Sequence, residues 1–83
     1  MIHPKEIAQR LSGALTVIID RDGTKIWRLN GVLHRDGGPA LEFRNGTKEW
    51  WNHGKIHRIG GPAIEHADGT KEWWFNNSYV KSE

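Results

Sequence analysis

The feature that most constrains the fold is a sequence repeat with a spacing of 23 residues. The tetrapeptide Asp-Gly-Thr-Lys at 22–25 returns as Asn-Gly-Thr-Lys at 45–48 and as Asp-Gly-Thr-Lys at 68–71. His-Arg at 34–35 and Gly-Gly-Pro-Ala at 37–40 return once at the same spacing. The sequence therefore predicts a single domain, 1–83, with repeat 1 at 22–44, repeat 2 at 45–67 and a half repeat at 68–83.

Each repeat predicts two strands. Asp-Gly and Asn-Gly tolerate positive φ, so between alternating runs they favour tight hairpins. We expect 16–19 to pair with 24–29, 40–44 with 47–51, and 63–67 with 70–75. Asn30-Gly31 and His53-Gly54 should reverse the chain a second time before each Gly-Gly-Pro loop. The predicted fold is mainly β: an antiparallel β-meander of tandem hairpin repeats.

The register of the hairpins has two possibilities. A two-residue loop would place Glu42 opposite Glu49, and like charges in that arrangement are unfavourable. A three-residue loop with a glycine bulge would place Glu42 opposite Lys48 instead. The sequence leaves both open.

The segment 3–12 predicts one short N-terminal helix. Pro4 stands at a first-turn position, Ile7 and Leu11 are spaced i,i+4, and Gly13 follows as a stop. Met1–Gly13 has no long apolar run, so we expect a cytoplasmic protein without a signal peptide. The chain of 83 residues has no cysteine and a thin core, which favours a homo-oligomer, most simply a dimer.

The five tryptophans fall into two sets. Trp27, Trp50 and Trp73 occupy one repeat position and predict core packing, since a thin core needs large side chains. The next repeat position is occupied by Arg28, Trp51 and Trp74, and a position that accepts arginine is expected to be exposed to solvent. Trp51 and Trp74 are therefore candidates for a stacking surface, with an oligomer interface as the alternative.

The His-Arg pairs beside the glycine-rich loops are candidates for an anion site. Arg35 and Arg58 offer a planar fork to phosphate or carboxylate, and loop N–H groups can form an anion nest. The alternative is that each arginine pairs internally with a nearby glutamate and that each histidine caps a turn. The candidate ligand-binding residues are Trp51, Trp74, Arg35, Arg58, His34, His57, Lys48 and Lys71.

These repeats resemble the MORN-like hairpin repeats of small phage and bacterial proteins. The pattern D/N-G-T-K-x-W-x-x-N-G-x-x-H-R-x-x-G-P-A-x-E carries the resemblance over residues 22 to 83. The resemblance implies a stack of β-hairpins that serves in protein docking or ligand binding. The half repeat departs from the pattern, because it lacks the His-Arg pair and leaves two complete pairs per chain.

The function indicated is binding without catalysis. No Walker loop, GxSxG, HExxH or GxGxxG motif is present, and no cofactor or metal site is expected. The net charge of +2 argues against a duplex-DNA partner. We expect a small anionic aromatic ligand, a nucleotide or cyclic nucleotide, sequestered as phage proteins sequester immune signals. The alternative is a protein–protein docking module: an antitoxin, inhibitor or adaptor.

Overall fold

The structure, a computed structural model, describes residues 14–83 and forms ten short strands. The strands are β1 (Leu15–Ile19), β2 (Lys25–Leu29), β3 (Val32–Leu33), β4 (Leu41–Glu42), β5 (Lys48–Glu49), β6 (Trp51–Asn52), β7 (Lys55–Ile56), β8 (Ile64–Glu65), β9 (Lys71–Phe75) and β10 (Ser78–Ser82). The helix predicted at 3–12 lies outside the described residues. Within the part described, no helix is long and apolar enough to cross a membrane.

The strands form an antiparallel, meander-like sheet, which confirms the predicted mainly β class. The strand order is β1-β2-β4-β5-β8-β9-β10, with β3 paired to β2 and with β6 and β7 in a small sheet of their own. In the first repeat, one half of β2 pairs with β4 and the other half with β3. β2, which carries Trp27, therefore pairs with three strands, β1, β3 and β4.

The Asx-Gly hairpins close through three-residue loops with a glycine bulge. The Phe43 N–H donates to the Thr47 carbonyl (2.8 Å), and the Gly46 N–H donates back to the Phe43 carbonyl (2.9 Å). Gly46 has φ +97°, a conformation that glycine adopts without steric cost. Of the two registers that the sequence left open, the structure has the one that sets Glu42 opposite Lys48.

This register produces a ladder of alternating charge across the sheet. The residues opposite one another on successive strands are Lys25, Glu42, Lys48, Glu65 and Lys71. Opposite charges in cross-strand positions stabilise a sheet by roughly 0.2–1 kcal/mol per pair relative to alanine. Glu42 and Glu65 therefore lie opposite lysines and not opposite another glutamate.

A second type of turn links neighbouring repeats. His53 (φ +48°) and Gly54 (φ +81°) form a two-residue turn between Asn52 and Lys55. The Gly54 N–H donates to the carbonyl of Leu33 in the preceding repeat (2.8 Å). The corresponding bond, from Asn77 to the Ile56 carbonyl, measures 2.9 Å. Each turn thus docks on the repeat before it.

The core is a thin row of side chains. Ala40 and Ala63 are fully buried, and Trp27 and Ile56 are almost so. The described residues extend over 48 × 25 × 16 Å, and the shortest dimension accommodates one sheet with its side chains. So flat a molecule leaves most large side chains partly in contact with solvent.

Candidate ligand-binding site

Each arginine of the His-Arg pairs lies flat on a tryptophan eight positions earlier in the chain. Arg35 Cζ is 3.8 Å from the centre of the Trp27 ring, and Arg58 Cζ is 3.9 Å from that of Trp50. Both distances lie within the range of a cation–π interaction. Each arginine therefore covers part of its tryptophan ring.

The same arginines also hold the loop and the following strand. Arg58 Nη1 donates to the Pro62 carbonyl (3.1 Å) and to Glu65 Oε2 (3.2 Å). Arg35 makes the equivalent bonds to Pro39 and Glu42, at 3.1 and 3.0 Å. Internal pairing, which the sequence left open for these arginines, is thus present in both repeats.

A glycine covers the other face of each guanidinium. A Cβ on Gly38 would lie 2.7 Å from Arg35 Cζ, and a Cβ on Gly61 would lie 2.8 Å from Arg58 Cζ. Neither glycine has positive φ, so the close approach is what requires glycine here. Among hydrogen bonds between described residues, only Nη1 of each guanidinium is engaged. With both faces covered, Nε and Nη2 on the edge are the donors that remain for a ligand.

The histidines cap the turns of the next repeat. His34 Nδ1 accepts the N–H of His53 (2.9 Å), and His57 Nδ1 accepts the N–H of Asn76 (3.1 Å). A nitrogen that accepts a hydrogen bond carries no proton, so the neutral rings hold theirs on Nε2. The capping role that the sequence offered as an alternative for these histidines is present in the structure.

A cleft of about 460 Å³ lies between the loop 35–38 of repeat 1 and the segments 50–52 and 57–59 of repeat 2. It brings together both arginines, His57 and Trp51 from the predicted site. The indole N–H of Trp51 donates to Glu49 Oε1 (2.9 Å), which fixes the orientation of the ring. The full lining consists of Arg35, Asp36, Gly37, Gly38, Trp50, Trp51, Asn52, His57, Arg58 and Ile59.

Four of the eight predicted ligand-binding residues do not line this cleft. Trp74 packs edge-on against Tyr79 with ring centres 5.4 Å apart. His34 lines a smaller crevice of about 380 Å³ beside Trp27. Lys48 and Lys71 lie in the charge ladder, opposite glutamates. Among the predicted residues, the ones that share one cleft are therefore Arg35, Arg58, His57 and Trp51.

The predicted separation of tryptophans into a buried set and an exposed set holds only at Trp27. Its exposed fraction is 7%, whereas Trp50, Trp51, Trp73 and Trp74 are all half-buried. The expectation that Trp50 and Trp73 are core residues was wrong in degree, because in so flat a molecule each ring keeps part of its surface in contact with solvent.

Sequence reasoning missed the partner of each guanidinium. The backbone of Arg35 meets that of Trp51, where the Arg35 N–H points to the Trp51 carbonyl at 3.4 Å. The guanidinium itself turns to Trp27. The available signal was the constant offset of eight residues, which recurs as Trp73 and Lys81, with Lys81 Nζ 4.5 Å from the ring centre.

A His-Glu pair sets the electrostatics at the end of the sheet. His66 Nε2 lies 2.6 Å from Glu72 Oε2, and the Trp74 indole N–H donates to Glu72 Oε1 (2.9 Å). These two hydrogen bonds, that of His66 above all, hold the pKa of Glu72 below its ordinary value. In the stretch from residue 14 onward, no group of three or more histidines or carboxylates is placed to hold a metal ion.

Comparisons of the chain with protein-family models, with curated proteins and with solved structures found no match. The resemblance to MORN-like repeats therefore stays a prediction.

Proposed function

We propose that this chain is a non-enzymatic protein that binds a small anionic aromatic ligand, such as a nucleotide or cyclic nucleotide, in the cleft between the two His-Arg loops. The observation that carries the proposal is that two arginines and Trp51 line one cleft. Its volume of about 460 Å³ falls within the range of small-molecule sites, about 300–1,000 Å³.

The lining supplies two kinds of contact that a nucleotide needs. The guanidinium edges of Arg35 and Arg58 offer planar N–H donors to phosphate oxygens. Trp51 offers an indole on which a base can stack, and such stacking contributes about 1–3 kcal/mol per base. Each guanidinium is held between a tryptophan ring and a glycine before the ligand binds, an arrangement called here the Trp–Gly sandwich. This reduces the side-chain entropy lost on binding.

The paired glutamates predict how the affinity depends on salt. Glu42 and Glu65 neutralise much of the charge on the two arginines, so the cleft is not a strong cationic field. Binding should then rely on hydrogen bonds and stacking, and it should weaken only modestly as salt is raised. Such a site suits sequestration of a ligand rather than its conversion.

Titration calorimetry with a panel of mono-, cyclic di- and cyclic trinucleotides tests the proposal. Trp51→Ala should weaken binding of any nucleotide hit by about 1–3 kcal/mol. Trp74→Ala is the matched control, since Trp74 occupies the same repeat position outside the cleft. Arg58→Ala should cost about 1.5–3 kcal/mol of binding. Because Arg58 also braces Trp50, this variant needs a parallel measurement of stability.

The result that contradicts the proposal is binding of no nucleotide by the wild-type chain. Equal losses in Trp51→Ala and Trp74→Ala would place the ligand elsewhere.

The second candidate is a protein–protein docking module or homo-oligomer. The observation that favours it is the exposed apolar surface at the last strand, formed by Phe75, Tyr79 and Val80. Every residue of β10 is exposed, and edge strands can pair with another chain. If no nucleotide binds while Tyr79→Lys abolishes self-association or capture of a stoichiometric protein, the docking function is the correct one.

A further inference from the structure

The two His-Arg segments, 34–40 and 57–63, differ at one position, the residue that follows the arginine. In repeat 1 that residue is Asp36, and in repeat 2 it is Ile59. His34 Nε2 lies 3.1 Å from Asp36 Oδ1, so the ring proton left on Nε2 by the capping bond is donated to a carboxylate. The repeat 1 histidine therefore has both of its nitrogens engaged.

His57 has the same cap and lacks the carboxylate. Its Nδ1 accepts the Asn76 N–H, which leaves the proton of the neutral ring on Nε2. The Ile59 side chain carries no hydrogen-bond acceptor, and the residue is 81% exposed. No described residue accepts a hydrogen bond from His57 Nε2, and no unpaired side-chain nitrogen in this part of the chain is buried. The Nε2–H is thus a fixed donor within reach of solvent.

Arg58 adds a second donor beside the first. His57 and Arg58 line the same cleft, and the guanidinium edge makes no further hydrogen bond to described residues. The Ile59 side chain adds no carboxylate beside them; of the nearby acids, Glu65 is bonded to Arg58 Nη1, and Asp36, which also lines the cleft, is bonded to His34. A ligand oxyanion can therefore take up the position that a carboxylate occupies in repeat 1.

We infer that repeat 2 holds an open anion subsite, in which His57 Nε2–H and the edge of Arg58 bind one phosphate or carboxylate group, whereas Asp36 closes the equivalent site of repeat 1. The inference rests on the proposed function, because it names the part of the cleft that receives the acid group of the ligand. It predicts one oxyanion per chain, although the sequence contains two His-Arg pairs.

The experiment exchanges the one residue that differs. Inorganic phosphate and acetate are titrated into the full chain while the imidazole nitrogens are followed by NMR. Both probes should shift the His57 Nε2 signal and leave that of His34 in place. Ile59→Asp should raise the apparent Kd for phosphate about tenfold or more, as loss of a charge-assisted hydrogen bond does. Asp36→Ile should make His34 respond as well.

Ala67→Asp controls for the added charge. Ala67 is exposed, lies outside the cleft lining, and occupies a turn position that holds arginine in both other turns. The Kd of the Ala67→Asp variant for phosphate should stay within about twofold of the wild-type value, since exposed charges outside a site are screened. An equal loss of phosphate affinity in Ala67→Asp and Ile59→Asp overturns the inference. So does a wild-type chain in which phosphate shifts the signals of both His34 and His57, or of neither.

Failure of this inference is distinguishable from failure of the proposed function. Nucleotide binding that is unchanged in Ile59→Asp leaves the proposed function intact and overturns the subsite. A phosphate response that is confined to His57, together with no affinity for any nucleotide, supports the subsite and contradicts the nucleotide proposal.

Discussion

Replacing Gly61 by alanine tests whether the guanidinium of Arg58 is confined between tryptophan and backbone. The new Cβ would lie 2.8 Å from Arg58 Cζ. That is about 0.7 Å closer than the lower limit of a favourable carbon contact, about 3.5 Å. Trp50 lies 3.9 Å away on the other face, so the guanidinium cannot retreat in that direction. The arginine must therefore leave the sandwich and lose its bonds to Pro62 and Glu65.

Because the guanidinium is the end of a flexible, partly exposed side chain, it can move to solvent, and the cost is the lost cation–π contact and ion pair, together about 0.5–2 kcal/mol. A chain of 83 residues has a total stability of roughly 4–12 kcal/mol, so the variant should still fold. Its Tm should fall by about 2–16 °C, given roughly 4–8 °C per kcal/mol for a domain of this size. Thermal unfolding followed by tryptophan fluorescence measures the change.

A double-mutant cycle isolates the clash from other effects of the methyl group. In an Arg58→Ala background the added methyl group no longer meets the guanidinium. Gly61→Ala should then be neutral, or stabilising by about 0.4–1 kcal/mol, because it reduces the entropy of the unfolded chain. If Gly61→Ala lowers stability by the same amount with and without Arg58, the guanidinium is not confined between Trp50 and Gly61.

Three further outcomes are expected. In denaturant unfolding, Trp27→Ala should lower the free energy of unfolding by about 3–5 kcal/mol, whereas Trp51→Ala, at a half-buried position, should lower it by about 2 kcal/mol. Equal losses would show that the two tryptophans do not differ in burial. Because the pKa of Glu72 is lowered in the folded state, the unfolded chain takes up that proton first, so stability should fall as pH drops below about 4.3. Glu72→Gln should flatten this part of the pH profile, and an unchanged profile would show that the His66 bond is immaterial. Light scattering should return twice the 9.5 kDa mass of one chain, and a monomer at micromolar concentration would contradict self-association.

The hairpins could be predicted because their causes are local. Asn30-Gly31 and the Asx-Gly pairs select their turns through backbone conformation alone, and the strands follow from the turns. The register could not be fixed from the sequence, because it depended on whether the loop took a bulge. The structure resolves this through opposite charges, with Glu65 set against Lys71.

The arrangement of the site was less predictable, because it depends on side chains that reach across strands. Alternation along a strand separates Trp50 from Trp51, yet it does not show that Arg58 folds back onto Trp50 rather than forward to Trp74. The requirement for Gly61 arises only from that choice. The difference between Asp36 and Ile59 was visible in the sequence, but its meaning depended on which histidine nitrogen was already engaged.

The most direct test of nucleotide binding in the cleft is the NMR spectrum of the indole N–H groups of the five tryptophans during titration with a nucleotide. Trp51 lines the cleft, whereas Trp74, at the same repeat position, packs on Tyr79 outside it. Nucleotide binding in the cleft should produce a saturable shift of the Trp51 signal together with the Gly37 and Gly38 amides, and no shift of Trp74. Shifts confined to Trp74 and β10, or no shift of any indole at saturating nucleotide, would contradict it.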